Sequence, residues 1–108
     1  MNETQFTKSL RDYVKHNGGG SIKLGASMFL ARGIPDTIYF FKNVTFFLES
    51  KVEPNKPTPI QLAQIDYINN SGGLAWVCTL KKNGIILLGD MPFESIELLF
   101  KHIKERND

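Results

Sequence analysis

Arg32-Gly33-Ile34-Pro35-Asp36 is followed by Thr37-Ile38-Tyr39-Phe40-Phe41, Lys42-Asn43, Val44-Thr45-Phe46-Phe47-Leu48 and Glu49-Ser50-Lys51, and this stretch decides how the chain reads. Both five-residue runs are β-branched and aromatic, the composition of strands. Lys42-Asn43 sits where a two-residue turn belongs, without the glycine that makes such a turn easy. A turn centred there sets Phe41 opposite Val44, Tyr39 opposite Phe46 and Asp36 opposite Glu49. Directly opposed side chains hold their Cβ atoms about 4.5–5.5 Å apart. Two carboxylates at that spacing repel unless positive charge lies between them, and a divalent cation supplies it. The period of two places Lys51 on the face of Glu49. One sheet face therefore gathers Asp36, Glu49 and Lys51. The plain alternative is a pair of polar strand ends, and an isolated E-x-K is a weak pattern. What favours a site is Pro-Asp entering one strand and E-x-K leaving the next in a register that joins them. Neither strand alternates cleanly, which predicts strands covered on both faces, in the middle of an α/β sheet.

Upstream, Phe6, Leu10, Tyr13 and Val14 recur at helical spacing and predict an amphipathic helix from Glu3 to His16. Asn17-Gly18-Gly19-Gly20 ends it. Glu3 lies one turn before Phe6 and reads either as a first-turn acid favoured by the helix dipole or as an acid at the edge of the site. Ser21–Leu24 makes a short strand, Gly25-Ala26-Ser27-Met28 is ambiguous, and Arg32-Gly33 closes a loop. Lys23 and Arg32 are the basic residues nearest the acids in sequence; they read as solvated cations or as phosphate contacts.

Downstream, Val52–Pro57 is a polar loop, and Thr58-Pro59-Ile60-Gln61 opens a helix. Thr58 is the N-cap, Pro59 the first helical residue, and Gln61 completes a capping box. The helix runs to about Asn70 with Leu62, Ile65 and Ile68 inward, and Ser71-Gly72-Gly73 stops it. The short loop brings its start near the end of the Glu49 strand, where open α/β sheets bind ligands. Gln61 is thus a cap and also a candidate to face the site. Leu74–Leu80 is a further strand completing a βαβ unit. Lys81-Lys82-Asn83-Gly84 turns into Ile85–Leu88, and Asp90-Met91-Pro92 introduces a helix to about Arg106, striped by Ile96, Leu99, Phe100 and Ile103. His16 and His102 lie outside any ligand spacing and read as solvated.

Composition sets the outer limits. A chain of 108 residues that is 42% hydrophobic is one globular domain spanning 1–108. A formal charge of +2 permits a nucleic-acid partner without demanding one. The single cysteine, Cys78, excludes an internal disulfide framework and reads as a small buried hydrophobe. No apolar run approaches the ~20 residues of a membrane span, and Asn2-Glu3-Thr4-Gln5 is no signal peptide. A soluble, cytoplasmic protein is the expectation.

The order α-β-β-β-α-β, with Asp36 before one strand and Glu49-x-Lys51 ending the next, resembles the PD-(D/E)XK nuclease superfamily. More narrowly, Arg32–Asp36, Glu49-Ser50-Lys51, Lys56-Pro57-Thr58-Pro59-Ile60-Gln61 and Gly72-Gly73 look like the VRR-NUC family, over about Glu3 to Cys78. The G-[IV]-P-D and T-P-x-Q pieces are far more specific than E-x-K. The resemblance implies a restriction-endonuclease-like α/β core, with a mixed central sheet flanked by helices. The strand and helix after Leu80 are extra to it. It implies a Mg²⁺- or Mn²⁺-dependent endonuclease hydrolysing DNA. Asp36 and Glu49 match the metal-binding acids, the Ser50 carbonyl is a further ligand, and Glu3 matches the acid of the first helix. Lys51 matches the catalytic lysine and Gln61 the following glutamine. Lys23, Arg32 and Lys56 are the DNA-contact candidates. Val52-Glu53 departs from the basic or glycine residues that often follow E-x-K. Stand-alone, phage-type members resemble homodimers acting on four-way junctions, which would place this chain in the host cytoplasm. The interface is expected on the exposed side of Ile85–Leu88 or on the last helix. The competing readings are a non-catalytic DNA-binding module on the same fold and a restriction-like or nicking endonuclease.

Overall fold

The computed structural model describes residues 1–24 and 32–107. The ambiguous stretch Gly25-Ala26-Ser27-Met28 lies outside them.

The N-terminal helix α1 spans Glu3–His16, with Phe6, Leu10 and Val14 buried. Its start is held by a capping box: Asn2 Oδ1 accepts the Gln5 N–H at 2.8 Å, and Gln5 Oε1 accepts the Asn2 N–H at 2.9 Å. Strand β1 (Gly20–Lys23) follows, then β2 (Thr37–Phe41) and β3 (Val44–Val52). The β2–β3 pairing runs from Phe41↔Val44 to Thr37↔Leu48, the register read from the sequence. Its turn is tight because Lys42 (φ 49°) and Asn43 (φ 65°) both take the left-handed conformation that suits the twist of a two-residue hairpin.

Helix α2 (Pro59–Asn70) carries the expected cap, with Thr58 Oγ1 accepting from Gln61 N–H and Gln61 Oε1 from Thr58 N–H. Asn69 then fixes the helix to the next strand: its amide donates to and accepts from the Ala75 backbone, both at 2.9 Å. That strand, β4 (Ala75–Leu80), pairs parallel with β3. Two short strands, β5 (Ile86–Leu88) and β6 (Met91–Phe93), and helix α3 (Ile96–Lys104) complete the order. The six strands lie in the sequence β1-β2-β3-β4-β5-β6, all neighbours antiparallel except β3 and β4. No helix among the described residues is long and apolar enough to cross a membrane.

Three expectations are corrected. Met91-Pro92 form an edge strand rather than the start of a helix; an edge position tolerates a proline that cannot donate to a ladder. Among the described residues the paired part of the hairpin is fully covered on one face only. Tyr39, Phe41, Phe46 and Leu48 are buried, while Phe40 is 41% exposed and Thr45 is exposed, because α2 packs chiefly on β4. On α2 itself, Ile65 is buried but Leu62 is exposed: one short helix on a narrow strip of sheet buries a narrow stripe. Ile86, Leu88, Leu99, Phe100 and Ile103 are buried in the core, as the stripe on the last helix predicts for its three.

That core lies between the sheet and the α1–α3 layer. Phe100 is its hub, stacked on Tyr13 at 5.3 Å and edge-on to Phe41 at 5.6 Å. Cys78 belongs to it, fully buried, and burial pushes its thiol far above the usual range, so it packs as a hydrophobe. Ile65 and Ala75 are buried outside this cluster, on the α2 side of the sheet.

Candidate active site

Strand β3 outruns β2. Glu49–Val52 pair with β4 on one side and have no β2 partner on the other, since β2 begins at Thr37. The main chain alternates. Phe47 N–H and Glu53 N–H donate to the Leu74 and Leu80 carbonyls, each at 2.9 Å, so the N–H and C=O of Ser50 point to the opposite, open edge. Asp36 fills part of that opening. Its Oδ2 accepts the Ser50 N–H at 2.7 Å and its Oδ1 accepts the Thr37 hydroxyl at 2.8 Å. Gly33 sets the approach, with φ at +78° and no room for a side chain: a Cβ there would lie 2.8 Å from the Ile60 carbonyl.

Glu3, Thr4, Thr7, Lys23, Asp36, Glu49 and Ser50 line one pocket of about 200 Å³ at this edge. Glu3 is steadied by Asn55, whose Nδ2 donates to Glu3 Oε2 at 2.7 Å. Glu49 and Lys51 are both buried, with Lys51 Nζ 3.6 Å from Glu49 Oε2. Burial and the charge of Asp36 push the Glu49 carboxyl up from 4.5 to about 7, against the pull of Lys51. Burial raises Asp36 as well, opposed by its hydrogen bonds from Ser50 and Thr37. Two carboxylates that resist ionisation side by side form a site with a standing demand for positive charge.

The donor set suits a hard divalent cation. Among the described residues no three His, Cys, Asp or Glu side chains are gathered at ligand spacing. A cation of the magnesium kind needs none: it binds through one or two carboxylates and keeps several waters. Asp36 and Glu49, with the Ser50 carbonyl, provide that complement, and Glu3 lines the same pocket.

The other sequence-predicted residues are placed as follows. Gln61 is half-buried, and its Oε1 is used by the cap rather than lining the pocket. Lys23 lines the pocket. Arg32 and Lys56 are exposed, and the Arg32 carbonyl accepts from Gln64 Nε2 at 3.1 Å. Sequence reasoning missed Thr4, Thr7 and Asn55. Helical spacing puts Thr7 one turn beyond Glu3 and was a usable signal; Asn55 lies 52 residues from Glu3, and no local pattern marks it.

The raised carboxyls give a measurable pH dependence. The folded chain binds the Glu49 proton more tightly than the unfolded chain does. The stability this group contributes is therefore complete below about pH 4.5 and is lost as pH rises through about 7. Without added metal, the melting temperature should fall from pH 5 to pH 7.5, and Glu49→Gln should flatten the slope. A wild-type melting temperature that is constant or rising across this window contradicts the arrangement.

No protein-family model matches the chain, and no curated protein does. Solved structures do. A VRR_NUC domain superposes with a TM-score of 0.66 at 24% identity, over 93% of this chain and 95% of that one. Hjc from Archaeoglobus fulgidus, a Holliday junction resolvase from an archaeal hyperthermophile, superposes with a TM-score of 0.58 at 15% identity, over 81% of this chain and 70% of that one. The six-stranded mixed sheet between helices is thus the restriction-endonuclease-like fold that these two structures share.

Proposed function

We propose that this protein is an endonuclease that hydrolyses phosphodiester bonds in DNA with the help of Mg²⁺ or Mn²⁺. The observation that carries the reading is the half-buried Asp36 with the buried Glu49 and Lys51 at the open edge of β3, both carboxyls held above their ordinary range. Asp36, Glu49 and the Ser50 carbonyl would hold the cation, with Glu3 on its flank. Bound there, a divalent cation polarises a phosphate and makes its water more acidic. Lys51 orients the attacking water or meets the charge that grows on the phosphate. Gln61, its oxygen committed to the cap, has its amide N–H groups left for a phosphate or a water. Lys23, Arg32 and Lys56 are proposed backbone contacts.

Likeness to a resolvase supports branched DNA as the preferred substrate. Paired incision across a junction needs two sites related by a twofold axis, so the working form is proposed to be a homodimer. Ile60, Leu62 and Tyr67 on α2 and Leu98 on α3 are among the exposed apolar side chains available for it. Light scattering that returns a monomer at working concentration would remove that part.

The test is an assay on linear duplex, flap, single-stranded and four-way-junction DNA with Mg²⁺, Mn²⁺ or chelator. Cleavage should need the metal and be fastest on the junction. No cleavage of any substrate under either metal refutes the nuclease reading. A non-catalytic DNA-binding module is told apart by a melting curve with metal. Because binding displaces protons from the two carboxyls, Mn²⁺ should stabilise the protein more at pH 8 than at pH 6. A protein indifferent to Mn²⁺ at both values has no working site.

A further inference from the structure

We propose that the groove between α1 and β1 carries the phosphate backbone of the bound DNA strand into the acid pocket. The groove measures about 690 Å³ and is lined by Thr4, Thr7, Lys8, Arg11, Lys15 and Lys23, with Asp12 and the small residues Gly19, Gly20 and Ser21. Thr4, Thr7 and Lys23 also line the acid pocket, so the two depressions adjoin.

Charge is segregated into this groove. Four cations face one acid, a net of three positive charges, in a chain whose total is +2. The rest of the molecule is therefore slightly acidic. Among the described residues Asp12 pairs with one of the four, Lys8, at 2.7 Å, on the exposed flank of α1. Arg11 is fixed: its Nε donates to Ser21 Oγ at 2.9 Å, which lays the guanidinium across the groove and leaves its terminal N–H groups for another acceptor.

The spacing is that of a backbone. Lys8, Arg11 and Lys15 follow one another by three and four residues and so stand in one row along the helix. At 1.5 Å per residue the row spans about 10 Å, the reach of about two successive phosphates along one strand. The row points at Thr4 and Thr7, whose hydroxyls are donors at the pocket mouth. A glycine-and-serine wall opposite leaves room for a sugar–phosphate chain where longer side chains would close the groove.

This inference rests on the nuclease reading, and its test separates the two. Fluorescence anisotropy of labelled duplex and four-way-junction DNA is measured in EDTA, where nothing is cut, across a range of salt. Each lost phosphate contact lowers the slope of log K against log salt by about 0.9. Lys15→Ala, exposed and without an ion-pair partner among the described residues, should lower it by about one. Arg11→Ala with Lys15→Ala should lower it by about two and weaken binding at 150 mM salt by about tenfold or more. Lys104→Glu, exposed on α3 away from the groove, should leave the slope alone. Melting curves establish that the variants are folded. If the wild type binds and cuts DNA while the Lys15→Ala slope equals that of the wild type, the groove is not the track and the nuclease reading stands. If the groove variants lose binding as described but no metal-dependent cleavage exists, the track stands and the catalytic reading falls. A wild type that does not bind DNA overturns both.

Discussion

Replacing Lys51 by alanine should cut the rate of metal-dependent DNA cleavage by about 10²–10³-fold, the usual loss when a preorganised charge at a reacting centre is removed. Binding of DNA in EDTA should change little, since Lys51 is buried beside Glu49 rather than in the basic groove. Two effects add. The ammonium is lost from the reacting phosphate, and Glu49 loses the cation 3.6 Å away that restrains its rise in pKa. The Glu49 carboxyl should then hold its proton to a pH above 7 and bind the metal more weakly. The second effect is recognisable because raising the pH and the Mn²⁺ concentration should recover part of the loss. Lys51→Arg, which keeps the charge, should recover metal affinity more than rate. A Lys51→Ala protein that cuts at the wild-type rate removes Lys51 from the chemistry.

Phe100→Ala should destabilise the fold by about 3–5 kcal/mol, the range for deleting a buried aromatic ring. Phe100 is fully buried, and four rings surround it: Tyr13 at 5.3 Å, Phe41 at 5.6 Å, Tyr39 at 6.0 Å and Phe46 at 6.1 Å. These come from α1, β2 and β3, so the void would open beneath the hairpin that carries the acids. For a chain of this size the melting temperature should drop by roughly 10–20 °C. Leu98→Ala, two residues away and 45% exposed, should cost under about 0.5 kcal/mol. Equal effects of the two, read by circular dichroism melts, would mean that α3 is not docked as described.

Local chemistry was the legible part of the sequence. The period of Phe6, Leu10 and Val14 fixed α1, and the Thr58–Gln61 box fixed the start of α2, because each signal lies within one or two turns. The hairpin register was legible because a two-residue turn leaves little choice of pairing, and with it came the approach of Asp36 to β3. What was not legible depends on how far one layer reaches across another. Phe40 and Leu62 carry apolar side chains whatever covers them, and only the placement of α2 over β4 leaves them exposed. Met91-Pro92 carry the residues of a helix entrance, and an edge position makes them a strand instead. The row Lys8, Arg11, Lys15 was in plain sight on α1, but its meaning came from β1 closing a groove against it. The Asn55–Glu3 contact joins chain segments that only the finished fold brings together.

The four-residue overhang of β3 beyond β2 also bears on how this chain tolerates change in length. Each substitution in the hairpin acts on one side chain. A residue added or lost within Thr37–Phe41 would act on all of them, because it moves Asp36 out of line with the Ser50 N–H and swaps the inward and outward faces of the strand. The hairpin therefore works as a ruler that measures where the acid stops. Homologous chains should vary in length at the turn Lys81–Gly84, and hold the count from Asp36 to Lys51 constant.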